Sequence, residues 1–98
     1  MDIHFQKNGV DFVWNERKAD TNPRKHDGIT FTQATDAFFD PFFKLVDARR
    51  QQEARDAVIG YDELGRLLFV VHIEIEGDSI RLISARKATV QECNHYDF

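Results

Sequence analysis

The stretch Leu67-Leu68-Phe69-Val70-Val71-His72-Ile73-Glu74-Ile75-Glu76-Gly77-Asp78-Ser79-Ile80-Arg81-Leu82-Ile83-Ser84-Ala85-Arg86-Lys87 reads as two strands joined by a tight turn. Residues 67–71 are unbroken apolar and residues 72–76 alternate. That is the pattern of a strand buried on both faces before it emerges toward solvent, so it belongs in the middle of a sheet. Gly77-Asp78 supplies a two-residue hairpin turn, and residues 79–85 form the returning strand. Two guanidiniums, Arg81 and Arg86, stand on or just beyond this strand. Arginine is always ionised and its planar fork matches phosphate oxygens, so the pair suggests a grip for an anion. Residues five apart in a regular strand face opposite ways. Both can serve one site only if the strand bulges or if Arg86 lies past its end. Otherwise they are exposed arginines in surface ion pairs.

Upstream, Asn8-Gly9 separates two short β-prone runs, Ile3-His4-Phe5-Gln6 and Val10-Asp11-Phe12-Val13-Trp14, and predicts a hairpin. Asn15 is placed to cap a polar helix starting at Glu16, which Pro23 should end or kink near Asn22. Thr30-Phe31-Thr32-Gln33 has the form of a capping box, with Ile29 as a staple. The helix it opens stops at Asp40-Pro41. A strand over 42–48, a polar loop over 49–53, a strand over 55–61 and a turn over 62–65 lead back to the central hairpin. Thr89-Val90-Gln91-Glu92 is a second capping box and opens a short terminal helix. The expected architecture is α+β. It has a mostly antiparallel sheet of four to five strands, two N-terminal helices packed on one face and a short C-terminal helix.

The 98 residues make one domain, with residues 1–9 as an N-terminal hairpin extension. Hydrophobic residues are 42% of the chain, with nine Phe, enough for one core without staples. The single cysteine, Cys93, excludes an internal disulfide and fits a reducing cytoplasm. No signal peptide and no apolar run long enough for a membrane span are evident. The net charge of −4 argues against broad, non-specific nucleic-acid binding, so any basic patch must be assembled by folding.

Other candidates each carry two readings. His26 is a loop acid–base group or a cation compensating a helix C-terminus. His72 and Glu74 are a proton-transfer pair or part of a solvated sheet face. Glu53 beside Arg55 is a base held by its cation, or a surface ion pair worth about 0–1 kcal/mol. His4, His26, His72 and His95 lack metal-ligand spacing, so neither a metal nor another cofactor is expected. Phe38-Phe39 and Phe42-Phe43 are core or edge packing, unless an exposed member marks a partner surface.

Taken in order, the segments resemble the BrnT family of toxins from bacterial type II toxin–antitoxin pairs. The matching residues are Phe12-Val13-Trp14-Asn15 leading into Lys18-Ala19, then Asn22, Lys25-His26, and Gly28-Ile29-Thr30-Phe31 with Ala34 and Phe38. They continue through Asp40-Pro41, Glu53-Ala54-Arg55, Ile59-Gly60 and Gly65-Arg66-Leu67-Leu68-Phe69-Val70-Val71-His72. Ile80-Arg81-Leu82-Ile83-Ser84-Ala85-Arg86-Lys87-Ala88, Glu92 and Tyr96 close the match. The resemblance implies a ribonuclease with a fold like the RelE toxins. It would cleave RNA without metal, by attack of the ribose 2′-hydroxyl on the adjacent phosphate, and so inhibit translation. Its implied partners are RNA and a BrnA-like ribbon-helix-helix antitoxin, with operator DNA reached only through the antitoxin complex and no membrane. In that frame Arg81 and Arg86 brace the phosphate, Arg55 adds a contact, and Glu53 or His26 moves protons. Lys25, Arg66, His72 and Lys87 meet the rest of the RNA. The alternative is a degenerate relative that only binds its antitoxin and helps regulate their promoter.

Overall fold

The computed structural model describes residues 1–75 and 77–97. Glu76, expected to end the central strand, lies outside the described residues. The chain runs β1 (Asp2–Lys7), β2 (Val10–Asn15), α1 (Glu16–Lys25), α2 (Phe31–Ala34), a 3-10 segment (Thr35–Phe39), β3 (Lys44–Asp47), β4 (Asp56–Tyr61), β5 (Leu67–Ile75), β6 (Ser79–Lys87) and α3 (Val90–Tyr96). Among the described residues no helix is long and apolar enough to cross a membrane.

The strands form a single sheet in the order β1-β2-β6-β5-β4-β3. This corrects the expectation of four to five mostly antiparallel strands: there are six among the described residues, and the sheet is mixed. The parallel pair is β2 with β6, through Asp11↔Ser79, Phe12↔Ile80 and Val13↔Arg81. Parallel pairing joins segments far apart in the chain and leaves no turn signature to read. The pairing also makes the N-terminal hairpin one edge of the sheet, with β5 and β6 at its centre.

Local signals set the element starts. Asn8 and Gly9 both take positive φ, +50° and +81°, as a tight hairpin turn requires. The Asn15 side chain accepts from the Lys18 N–H at 3.1 Å and caps α1. Capping boxes open α2 at Thr30 and α3 at Thr89. Two helical expectations need correction. Pro23 lies inside α1 instead of ending it, because the turn beyond it is held by His26 N–H to the Asn22 carbonyl at 2.9 Å and Gly28 N–H to the Pro23 carbonyl at 2.8 Å. The second N-terminal helix is one α turn that tightens into 3-10 geometry. There the backbone runs against β4 so closely that a Cβ on Gly60 would stand 2.5 Å from the Ala37 carbonyl oxygen.

α1, α2 and the 3-10 segment pack on one face of the sheet. Register assigns that face Phe12 and Trp14 from β2, Leu82 and Ala85 from β6, Leu68 and Val70 from β5 and Val58 from β4. Against them pack Ile29, Phe31, Ala34 and Ala37. Edge-to-face pairs, Phe12 with Phe38 at 5.3 Å and Trp14 with Phe31 at 5.7 Å, fix the aromatic geometry. Full burial of each large side chain is worth about 1.5–3 kcal/mol, so this layer dominates stability.

The β5–β6 ladder contains one irregularity. His72 pairs with Leu82 but Val71 pairs with Ser84, which leaves Ile83 as an extra residue on β6. Such a bulge shifts the alternation by one position. Leu82 and Ala85, three apart, therefore both face the core, and the strand continues through Lys87. Beyond the bulge, β2 has left the sheet for α1. The Asn22 side chain replaces it, donating to the Ala85 carbonyl at 2.9 Å and accepting from the Ala85 N–H at 3.1 Å.

Candidate active site on the open sheet face

The bulge decides where the cations go. Arg81 lies opposite Ile73 and Arg86 opposite Phe69, and both of those point away from the helices. With one residue inserted between them, Arg81 and Arg86 share the open face of the sheet. Arg55 immediately precedes β4, whose Asp56 pairs with His72. By alternation its side chain belongs beside Ile73, and the two residues line one recess of about 260 Å³. The open face thus carries three guanidiniums over a half-buried apolar floor of Phe69, Val71 and Ile73. Arg81 and Arg86 share one face through a bulge and not because Arg86 lies beyond the strand end. Arg55 and Glu53 stand by the Ile73 row of Arg81, whereas Arg86, opposite Phe69, stands about 13 Å further along the strands.

Each guanidinium already has a carboxylate. Arg81 donates to Asp2 through both terminal nitrogens, at 3.3 and 2.8 Å. That pairing pulls the Asp2 carboxyl below its ordinary range and holds Arg81 more firmly charged. Arg86 makes a forked pair with Glu92 at 2.7 and 2.9 Å and lies 4.3 Å from the centroid of Phe69. Burial alone would raise the Glu92 carboxyl, but Arg86 and the Thr89 N–H outweigh it and hold it low. Arg55 donates to Glu53 at 2.9 Å, while its buried Nε has no partner. Glu53 is largely exposed, with 60% of its side chain accessible.

α3 closes the Arg86 end of this face. The Tyr96 hydroxyl donates to Asp40 at 2.7 Å, and its ring meets Tyr61 edge-on at 5.4 Å. Burial, then the Asp40 carboxylate, push the Tyr96 hydroxyl up to about 12.

The other sequence candidates lie elsewhere. His26 caps the C-terminus of α1 and Lys25 is exposed in its last turn, both on the helix side. Lys87 is exposed opposite Leu68, also on the helix side. Arg66 is committed to the β4–β5 turn, donating to the buried Asp62 carboxylate at 2.7 Å and to Gln33 at 3.1 Å. His72 is only 2% exposed, with its ring 4.9 Å from Phe38. It therefore does not line a solvated face with Glu74, because the bulge and register turn it into the core. Burial pushes its pKa down. Phe42, in the turn before β3, is 72% exposed and Phe43 43% exposed, whereas Phe38 and Phe39 pack on Phe12. Sequence reading passed over Asp2, whose only signal is its parity on β1, and the sheet-completing role of Asn22.

Chemically, the open face offers charges of fixed sign to an anion, an apolar floor, and an exposed carboxylate, Glu53, beside one of the cations. None of the curated proteins matches the chain. The family described as "Ribonuclease toxin, BrnT, of type II toxin-antitoxin system" matches residues 14–92, which hold Glu53, Arg55, Arg81, Arg86 and Glu92 but neither β1 nor Asp2. Matched over most of its length, the chain belongs to the BrnT family of ribonuclease toxins from type II toxin–antitoxin systems.

Proposed function

We propose that this toxin binds and cuts RNA on the open face of the sheet, without a metal, by attack of a ribose 2′-hydroxyl on the neighbouring phosphate. The observation that carries the reading is the bulge at Ile83, which puts Arg81 and Arg86 on the same solvent-facing surface as Arg55. Preorganised guanidiniums stabilise the charge that develops on the phosphoryl oxygens. Arg81 and Arg55 hold the phosphate, and Arg86 steadies the strand nearer α3. Glu53 takes the 2′-hydroxyl proton, held near the phosphate by Arg55. Lys25 and Lys87, exposed on the helix side, are assigned no contact on the open face. Arg66 and His72, engaged within the fold, are assigned no contact, and His26, on the helix side, ranks behind Glu53 as the base. A BrnA-like ribbon-helix-helix antitoxin would neutralise the toxin and carry the pair to operator DNA. Residues 1–9 extend a single domain.

The test is RNA cleavage by antitoxin-free protein in EDTA. Arg81→Ala should lose about 10²–10³-fold in rate, as removal of one transition-state donor does elsewhere. Variants at Arg81 and Arg86 that both cut at the parental rate would remove the open face from the reaction. One observation favours a second reading: both β6 guanidiniums are already paired with this chain's own carboxylates. If those pairs are permanent, the protein is an antitoxin-binding module. It would then form a tight complex with its partner while leaving RNA intact.

A further inference from the structure

One row of side chains crosses the open face. His4 on β1 pairs with Val13 on β2, Val13 with Arg81 on β6, and Arg81 with Ile73 on β5. Arg55 and Glu53 stand just beyond Ile73. In-register partners share a face, so His4 lies on one flank of Arg81 and the Glu53–Arg55 pair on the other. Neighbouring strands are about 4.8 Å apart, which puts each flank about 10 Å from Arg81 along the row. In-line displacement at phosphorus needs its proton acceptor and proton donor on opposite sides of the phosphate. The row has that arrangement about the Arg81 position, whose guanidinium leans toward the β1 flank to meet Asp2.

We infer that His4 is a further catalytic residue, the general acid that protonates the leaving 5′-oxygen. This rests on the open-face reading. The 2′-oxygen attacks phosphorus and its proton passes to Glu53. The bond from phosphorus to the 5′-oxygen breaks, and the imidazolium gives its proton to that oxygen. The products are a 2′,3′-cyclic phosphate and a free 5′-hydroxyl. Imidazole suits the donor role because a ring N–H can be presented directly to a leaving oxygen.

His4 is exposed yet carried on a fixed element. All six residues of β1 pair with β2, Phe5 packs 5.8 Å from Trp14, and Glu16 N–H bonds the Met1 carbonyl at 2.9 Å. β1 lies outside the family-matched residues, so this acid would be an addition of this chain to the shared core.

The experiment compares ordinary RNA with RNA whose scissile 5′-oxygen is replaced by sulfur, because a thiolate leaves without a proton. His4→Gln should cut ordinary RNA about 100-fold more slowly, yet cut the sulfur substrate within about threefold of the parental rate. Gln6→Ala, on the same face of β1, should leave both rates unchanged. Parental cleavage of ordinary RNA by His4→Gln overturns the inference, as does equal slowing of both substrates, which would mark a binding or folding role. If His4→Gln is unaffected while Arg81→Ala is inactive, only the role of His4 falls. If the parent cuts neither substrate, the open-face reading falls with it.

Discussion

On the helix-covered face, β5 presents Leu68, Val70 and His72, and β6 answers with Leu82 and Ala85, all nearly inaccessible to solvent. On the open face the same two strands present Phe69, Val71 and Ile73 against Arg86, Ser84 and Arg81, all half-buried. Apolar content along the strands does not separate these surfaces, since Val and Ile occur on both. What separates them is one unpaired residue. Without Ile83, strict alternation would send either Arg81 or Arg86 into the layer occupied by Leu82 and Ala85. The bulge thus keeps the core free of charge and gathers the cations on the other side.

Deletion of Ile83 is the strongest way to break that difference. A one-residue slip moves the whole side-chain set of one half of β6 to the opposite face. Either Arg81 or Arg86 would then be buried without a partner while apolar residues emerged. The expected loss exceeds about 4 kcal/mol, enough to unfold a domain of this size at room temperature. Urea unfolding followed by circular dichroism checks it. A deletion variant with parental stability would show that the two faces do not depend on the bulge.

The bulge also marks the limit of what the sequence reveals. The hairpin at Asn8-Gly9, the caps at Asn15, Thr30 and Thr89 and the β5–β6 turn are local events, written in residues three or fewer apart. They are legible for that reason. The β2–β6 parallel pair, the choice between bulge and strand end at Arg86, and the Asn22 patch on Ala85 depend on segments tens of residues apart. His72 illustrates the same limit from the other side. Its alternation with Ile73 is plain in the sequence, but which face receives helices is a tertiary fact. The arginines of the open face were identifiable by residue type, whereas Asp2 and His4 join them only through strand register.

His72 makes the covered face sensitive to mild acid. Burial disfavours its charged form, so its folded pKa lies below the ordinary value, although the Val70 carbonyl, Asp56 and Glu74 pull the other way. A base with a depressed folded pKa contributes stability above its unfolded pKa and loses it as pH falls. Between about pH 6.5 and the lowered value, unfolded chains bind a proton that folded chains refuse, with a slope approaching 1.4 kcal/mol per pH unit. Urea midpoints measured from pH 7.5 to 5.5 should fall accordingly. His72→Gln should flatten the dependence while remaining able to hydrogen-bond. An unchanged slope in that variant would place the titrating group elsewhere.

The smallest expected effect belongs to the open face, where charges meet water. Asp2 occupies both terminal nitrogens of Arg81, the positions a phosphate would use. The pair is solvent-exposed, so its loss should scarcely alter stability. Its influence on substrate should be larger than its influence on folding. A carboxylate that must be displaced weakens ground-state and transition-state binding equally, which raises KM and leaves kcat alone. Asp2→Asn should therefore lower KM for RNA by about threefold at low salt, with kcat unchanged, and the gain should shrink as salt screens the competitor. A fall in kcat instead would mean that Asp2 orients Arg81 for the reaction and does not compete with the phosphate. In that case the carboxylates of the open face would be parts of the site and not its occupants.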